Sequence, residues 1–135
     1  MMPFNRWPAL VVLVFLTVSA CGCGSDHEFL AAVQVSPAGG TATSGSANNT
    51  VQFTAIGWYA PIGGCGFGGC GLASPDKHQT LANASWATSD PLRSSVNSKG
   101  LAKCISFTVS PITITATATG GLYGSISGTA TLICN

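Results

Sequence analysis

Charge is what this chain has least of. Only 7% of its residues are Asp, Glu, Lys or Arg, against 46% hydrophobic. A chain so apolar can bury a core, which excludes the disordered class. Once Arg6 in the apolar N-terminal stretch is set aside, Lys77, Arg93, Lys99 and Lys103 balance Asp26, Glu28, Asp76 and Asp90. No basic surplus remains to neutralise phosphates, so no nucleic acid is expected as a partner. Amphipathic helical periodicity is missing throughout. So are the G-x-S-x-G elbow and the H-E-x-x-H motif, and the chain has only two histidines. Catalysis needs convergent titratable groups. The expectation is a non-enzyme with no catalytic residue, cofactor or metal. His27, between Asp26 and Glu28, reads as part of a solvated tether.

What is present begins with a leader, MMPFNRWPALVVLVFLTVSA, in which Arg6 precedes an apolar run from Ala9 to Val18. That run is too short to span a bilayer about 30 Å thick. It ends in Val18-Ser19-Ala20-Cys21, which resembles the lipobox of bacterial lipoproteins. The resemblance implies cleavage before Cys21, a diacylglycerol on its sulfur, and membrane attachment through the N-terminal lipid. Gly22 in place of Asp fits an outer-membrane or surface location in the bacterial cell envelope. An ordinary secretory signal cut after Ala20 is the alternative. The organisation read from the chain is a signal peptide over 1–20, a tether over 21–29 and one domain over 30–135.

The domain reads as all-β. Leu30–Val35 is a first strand ended by Ser36-Pro37, and residues 38–49 form a turn-rich loop with room for a short edge strand. Thr50–Trp58 is a second strand with Val51, Phe53 and Ala55 on one face, and Gly57 marks a bulge or bend. Tyr59–Thr80 is dense in glycine and reads as a long surface loop. Strands follow at Leu81–Thr88, Arg93–Val96, Leu101–Phe107, Pro111–Thr119 and Ser125–Cys134. Turns at Asp90-Pro91, Lys99-Gly100 and Gly120–Gly124 separate the later ones. In the Pro111–Thr119 strand, Ile112, Ile114, Ala116 and Ala118 face in while Thr113, Thr115, Thr117 and Thr119 face out. About seven such strands predict an antiparallel sandwich, with Trp86 enclosed between its sheets.

A tryptophan, then Thr-Ser-Asp-Pro, Val96, Lys-Gly-Leu, an Ile-Thr-Ile-Thr-Ala-Thr strand and a final Gly-Thr-Ala-Thr-Leu strand resemble the bacterial Ig-like group 2 domain. The likeness spans most of the chain from Leu30, with Tyr59–Thr80 as an insertion. It implies an Ig-like sandwich of the kind found in bacterial surface proteins and adhesins. A single copy here argues against a repeat-built stalk.

Six cysteines in an exported chain point to disulfides. With Cys21 lipidated and Cys23 in the tether, Cys65, Cys70, Cys104 and Cys134 remain, and four cysteines allow three pairings. Cys65–Cys70 with Cys104–Cys134 is favoured. The first pair would close CGFGGC, and the second would tie down the last strand. Cys65 and Cys70 with His78 as zinc ligands are the rival reading, and oxidation outweighs it outside the cytosol.

Function is left to the long loop. Tyr59 and Phe67 lie beside or within it and could stack on sugar rings or dock on a protein. The expectation is an envelope-anchored binding or adhesion module for a protein or polysaccharide. The alternatives are a structural domain without a ligand, or a small hydrolase using His78. The outward threonines give no flat repeated array for ice, since threonine is ordinary on a sheet.

Overall fold

The computed structural model describes residues 28–61, 75, 77–122 and 124–135. These residues form the two-layer all-β sandwich expected, with no helix among them. The strands are β1 (Glu28–Ser36), β2 (Gly39–Ala42), β3 (Thr50–Gln52), β4 (Thr54–Pro61), β5 (Lys77–Thr80), β6 (Ser85–Thr88), β7 (Ser94–Val96), β8 (Leu101–Cys104), β9 (Ile112–Gly121) and β10 (Gly124–Cys134). One sheet runs β2-β10-β9-β1-β4-β5, with β6 also paired to β9, and the other runs β3-β8-β7.

Ten strands replace the expected seven for three reasons. The single run expected over Thr50–Trp58 is divided at Phe53, which belongs to neither strand and lies where the chain passes from β3 in one sheet to β4 in the other. The Phe53 N–H donates to the Gly100 carbonyl at 2.9 Å, and the residue is fully buried where the sheets part. The turn-rich stretch after Pro37 holds β2, which runs parallel to β10 from Thr131↔Gly39 to Cys134↔Ala42. The larger sheet is therefore mixed rather than purely antiparallel. Tyr59–Thr80 is not all loop either. Tyr59, Ala60 and Pro61 continue β4, and Lys77–Thr80 returns as β5 against it.

Other expectations shift by a few residues. β1 starts at Glu28, so Glu28 and Phe29 belong to the sheet rather than to a tether. Gly57 is no bulge. It pairs regularly with Val33 and Gln79, and the irregularity lies in β1 between Leu30 and Ala32. A Cβ at Gly57 would come within 2.8 Å of both Leu30 and Leu81, so close packing of the interior accounts for the glycine. Leu81–Ala84 is a turn before β6, and the chain leaves β8 at Cys104, well before Phe107.

The core follows the alternation. Ile112, Ile114, Ala116 and Ala118 of β9 are buried, as are Ala130, Leu132 and Cys134 of β10 and Leu30, Val33 and Val35 of β1. The intervening threonines of β9 are exposed or half-buried, and Thr117 shares a 2.7 Å hydroxyl contact with Ser127 on β10. Alanine and glycine let the strands approach closely. A Cβ at Gly128 would sit 2.2 Å from the Val33 carbonyl oxygen. Trp86 does face inward, opposite Ala116, but it is only half-buried at the rim. The largest fully buried side chain is Phe53 instead. Cys104 and Cys134 are joined, with Cα atoms 5.6 Å apart, tying the smaller sheet to the last strand of the larger.

Of the three expected turns, those at Asp90-Pro91 and Lys99-Gly100 are built by side chains, while Gly120, Gly121 and Gly124 belong to β9 and β10. The Asp90 carboxylate accepts the Arg93 N–H at 3.2 Å, and the Asn97 side-chain oxygen accepts the Lys99 and Leu101 N–H groups at 2.9 and 3.0 Å. Asp90 is thus a turn residue, as its place before Pro91 implies.

Candidate binding surface beside the edge strand

β5 is the edge of the larger sheet, and all four of its residues are exposed. Its pairing with β4 sets Trp58 opposite His78, and Tyr59 opposite Lys77. Because side chains alternate between faces, these pairs lie on opposite sides of the sheet. Tyr59 and Gln79 share the side of Leu30, facing the sandwich interior at its open rim.

On the inner side, Tyr59 is half-buried against the core, and its hydroxyl accepts a 3.1 Å hydrogen bond from the Gln79 amide. Glu28 and Lys77 form an ion pair beside it. An open cleft of about 560 Å³ is lined by Glu28, Tyr59, Lys77, His78 and Gln79. A second hollow of about 370 Å³ shares the Tyr59–Gln79 wall and continues past Asn83 to Thr119. A third, about 360 Å³, lies further along the rim between Leu81 and the Trp86 ring. Tyr59 therefore stands between two hollows, held in place by its hydroxyl.

On the outer side, the Trp58 and His78 rings lie 5.0 Å apart, tilted by 36°. The indole N–H donates to the Gln34 side-chain oxygen at 3.2 Å. Trp58 is thus pinned from both directions.

Taken together, the edge offers an aromatic ring, an amide and two opposite charges around a shallow cleft. Such a set suits stacking and hydrogen bonding to a neutral polar ligand. Among the described residues no cluster of His, Cys, Asp and Glu could hold a metal ion. Cys21, Cys23, Cys65, Phe67, Cys70 and Asp76 lie outside the described residues. Of the expected contact residues, Tyr59 is in the cleft and belongs to a strand. Sequence reasoning missed its companions Gln79, Lys77 and Glu28. Lys-His-Gln-Thr carries no apolar period, and only the pairing with β4 gives it a register.

No protein-family model matches the chain, and no curated protein aligns with it.

Proposed function

We propose that the chain is a lipid-anchored bacterial envelope protein whose single Ig-like domain is a non-enzymatic binding module for a polysaccharide or protein. The contact is the β4–β5 edge around Tyr59. The observation that carries this reading is the half-buried Tyr59 ring between two hollows, its hydroxyl fixed by Gln79. A ring immobilised before binding loses little freedom on stacking against a sugar or an apolar side chain. The lipobox-like Val18–Cys21 and the Ig-like group 2 resemblance of the body support the envelope assignment.

Placement narrows the ligand. Glu28, where β1 begins, pairs with Pro61 at the end of β4, so the cleft lies at the end of the sandwich nearest the N-terminus. A tether over 21–27 reaches at most about 25 Å fully extended. The ligand is then a component of the envelope layer adjoining the anchor. A structural domain without a ligand is the second reading, favoured by the shallowness of the hollows and by Trp58 being already engaged by His78 and Gln34.

The test uses the full chain incubated with envelope polysaccharide and protein fractions. Tyr59→Ala should weaken retention at least about tenfold, as loss of a central aromatic contact does. The exposed Gln79→Ala should weaken it less, with the fold intact. Retention unchanged in both variants would refute the edge as the contact. Cys21→Ser still entering the detergent phase on partition would refute the lipid anchor independently.

A further inference from the structure

The end of the sandwich away from the N-terminus is unusually apolar. Leu92 is 86% exposed, Val109 88%, Phe107 60% and Ile105 53%. They sit on two segments held together, since the Arg93 carbonyl accepts the Ile105 N–H at 2.8 Å and the Ser106 N–H at 3.3 Å. The Thr108 N–H donates to the Cys134 carbonyl, which fixes this stretch at the C-terminal end of β10. Thr108 itself is buried, and its hydroxyl has no hydrogen-bond partner among the described residues. Among the described residues, Leu92, Ile105, Phe107 and Val109 are the most exposed large apolar side chains, and their position on two bonded segments goes beyond the scattered exposure normal for a surface.

We propose that this end of the sandwich pairs with the same end of a second copy of the chain. Charge complementarity selects a second copy over other occupants. Asp90 and Arg93 flank Leu92 on one turn, as an exposed ion pair with N and O 3.6 Å apart. A two-fold axis passing over Leu92, between Asp90 and Arg93, would set Arg93 opposite the partner's Asp90, and Asp90 opposite the partner's Arg93. A closed two-fold interface requires that self-complementarity: an apolar centre facing itself and each charge facing its opposite. A surface of one sign could not meet itself in this way. β1 begins at the opposite end, so the pair is elongated, with the two Glu28 residues far apart. The inference does not depend on the lipid anchor or on the Tyr59 cleft.

Photo-crosslinking of the purified full chain decides it. Phe107→p-benzoylphenylalanine should give an adduct of twice the chain mass, and Leu122→p-benzoylphenylalanine, on the β9–β10 turn at the other end, should not. No adduct at 107, or equal adducts at both positions, would overturn the proposal. So would selective capture at 107 of a different protein when the crosslink is made in cells. Val109→Lys provides a second measurement by sedimentation, since Val109 is almost fully exposed and its replacement leaves the core untouched. It adds a positive charge to each apolar face and should weaken self-association at least about tenfold. Association unchanged by Val109→Lys would likewise overturn the pairing.

Discussion

Gly100 carries more of the fold than its size suggests. It adopts φ +80°, a left-handed conformation, and an added Cβ would lie 2.3 Å from the Phe53 carbonyl oxygen and 2.7 Å from the Trp86 ring. The Phe53 N–H is bonded to the Gly100 carbonyl, so the two backbones cannot separate without breaking that contact. Gly45 provides the control. Its φ is +74°, but an added Cβ would meet nothing within 4 Å. Gly45→Ala should therefore show only the conformational penalty, about 1–2 kcal/mol. Gly100→Ala adds overpacking against Phe53 and Trp86, and should cost at least about 2 kcal/mol more. Denaturant unfolding of both variants measures the difference. Equal losses would mean that Phe53 and Trp86 yield freely, and that the rim of the core is looser than its geometry implies.

Strands differ in how plainly they can be read, and the difference is physical. β9 and β10 could be read directly because each buries one face. Their apolar residues then recur at every second position, and Cys134 falls in phase with Ala130 and Leu132. β5 could not be read that way. Four exposed residues leave no period, and the glycine-rich stretch before it fixes no register. The division at Phe53 was hidden for a different reason. Val51, Phe53 and Ala55 keep one alternation while the chain changes hydrogen-bonding partner, and the pattern records faces rather than neighbours. The same limit applies to the cleft, where Tyr59 was visible as an aromatic while Gln79 gained meaning only by pairing. The cysteines were the clearest long-range signal, and they yield a test. The bridge closes a sequence separation of 30, for which the chain-entropy account gives about 3–4 kcal/mol. Cys104→Ala with Cys134→Ala should lower stability by at least that much, and raise the denaturant dependence as the unfolded chain expands. An unchanged midpoint would show that the connection contributes nothing to holding β8 against β10.

The sandwich as a whole should open unevenly, and in a way that bears on binding. β9 and β10 form the longest antiparallel register, reaching from Gly121↔Gly124 to Ile112↔Leu132, and both supply fully buried side chains. β9 is paired on both sides over Ile114–Thr117, by β10 and β6, and β10 is paired on both sides at Thr131 and Leu132, by β9 and β2. β5 has one neighbour, four pairings and no buried residue. Amides such as those of Ile114 and Ala130 can exchange with solvent only when most of the sandwich unfolds. Those of β5 need only peel from β4. Native-state hydrogen exchange should therefore find β9–β10 amides protected to the level of global unfolding, and β5 amides at least about a hundredfold less protected, a gap of roughly 3 kcal/mol. Tyr59 sits on the firm side of that boundary, in β4, while Gln79 sits on the soft side. A ligand held between them would bridge the two and slow β5 exchange without altering β9. Equal protection of β5 and β10 would instead make the edge a rigid part of the scaffold, with nothing left for a ligand to order.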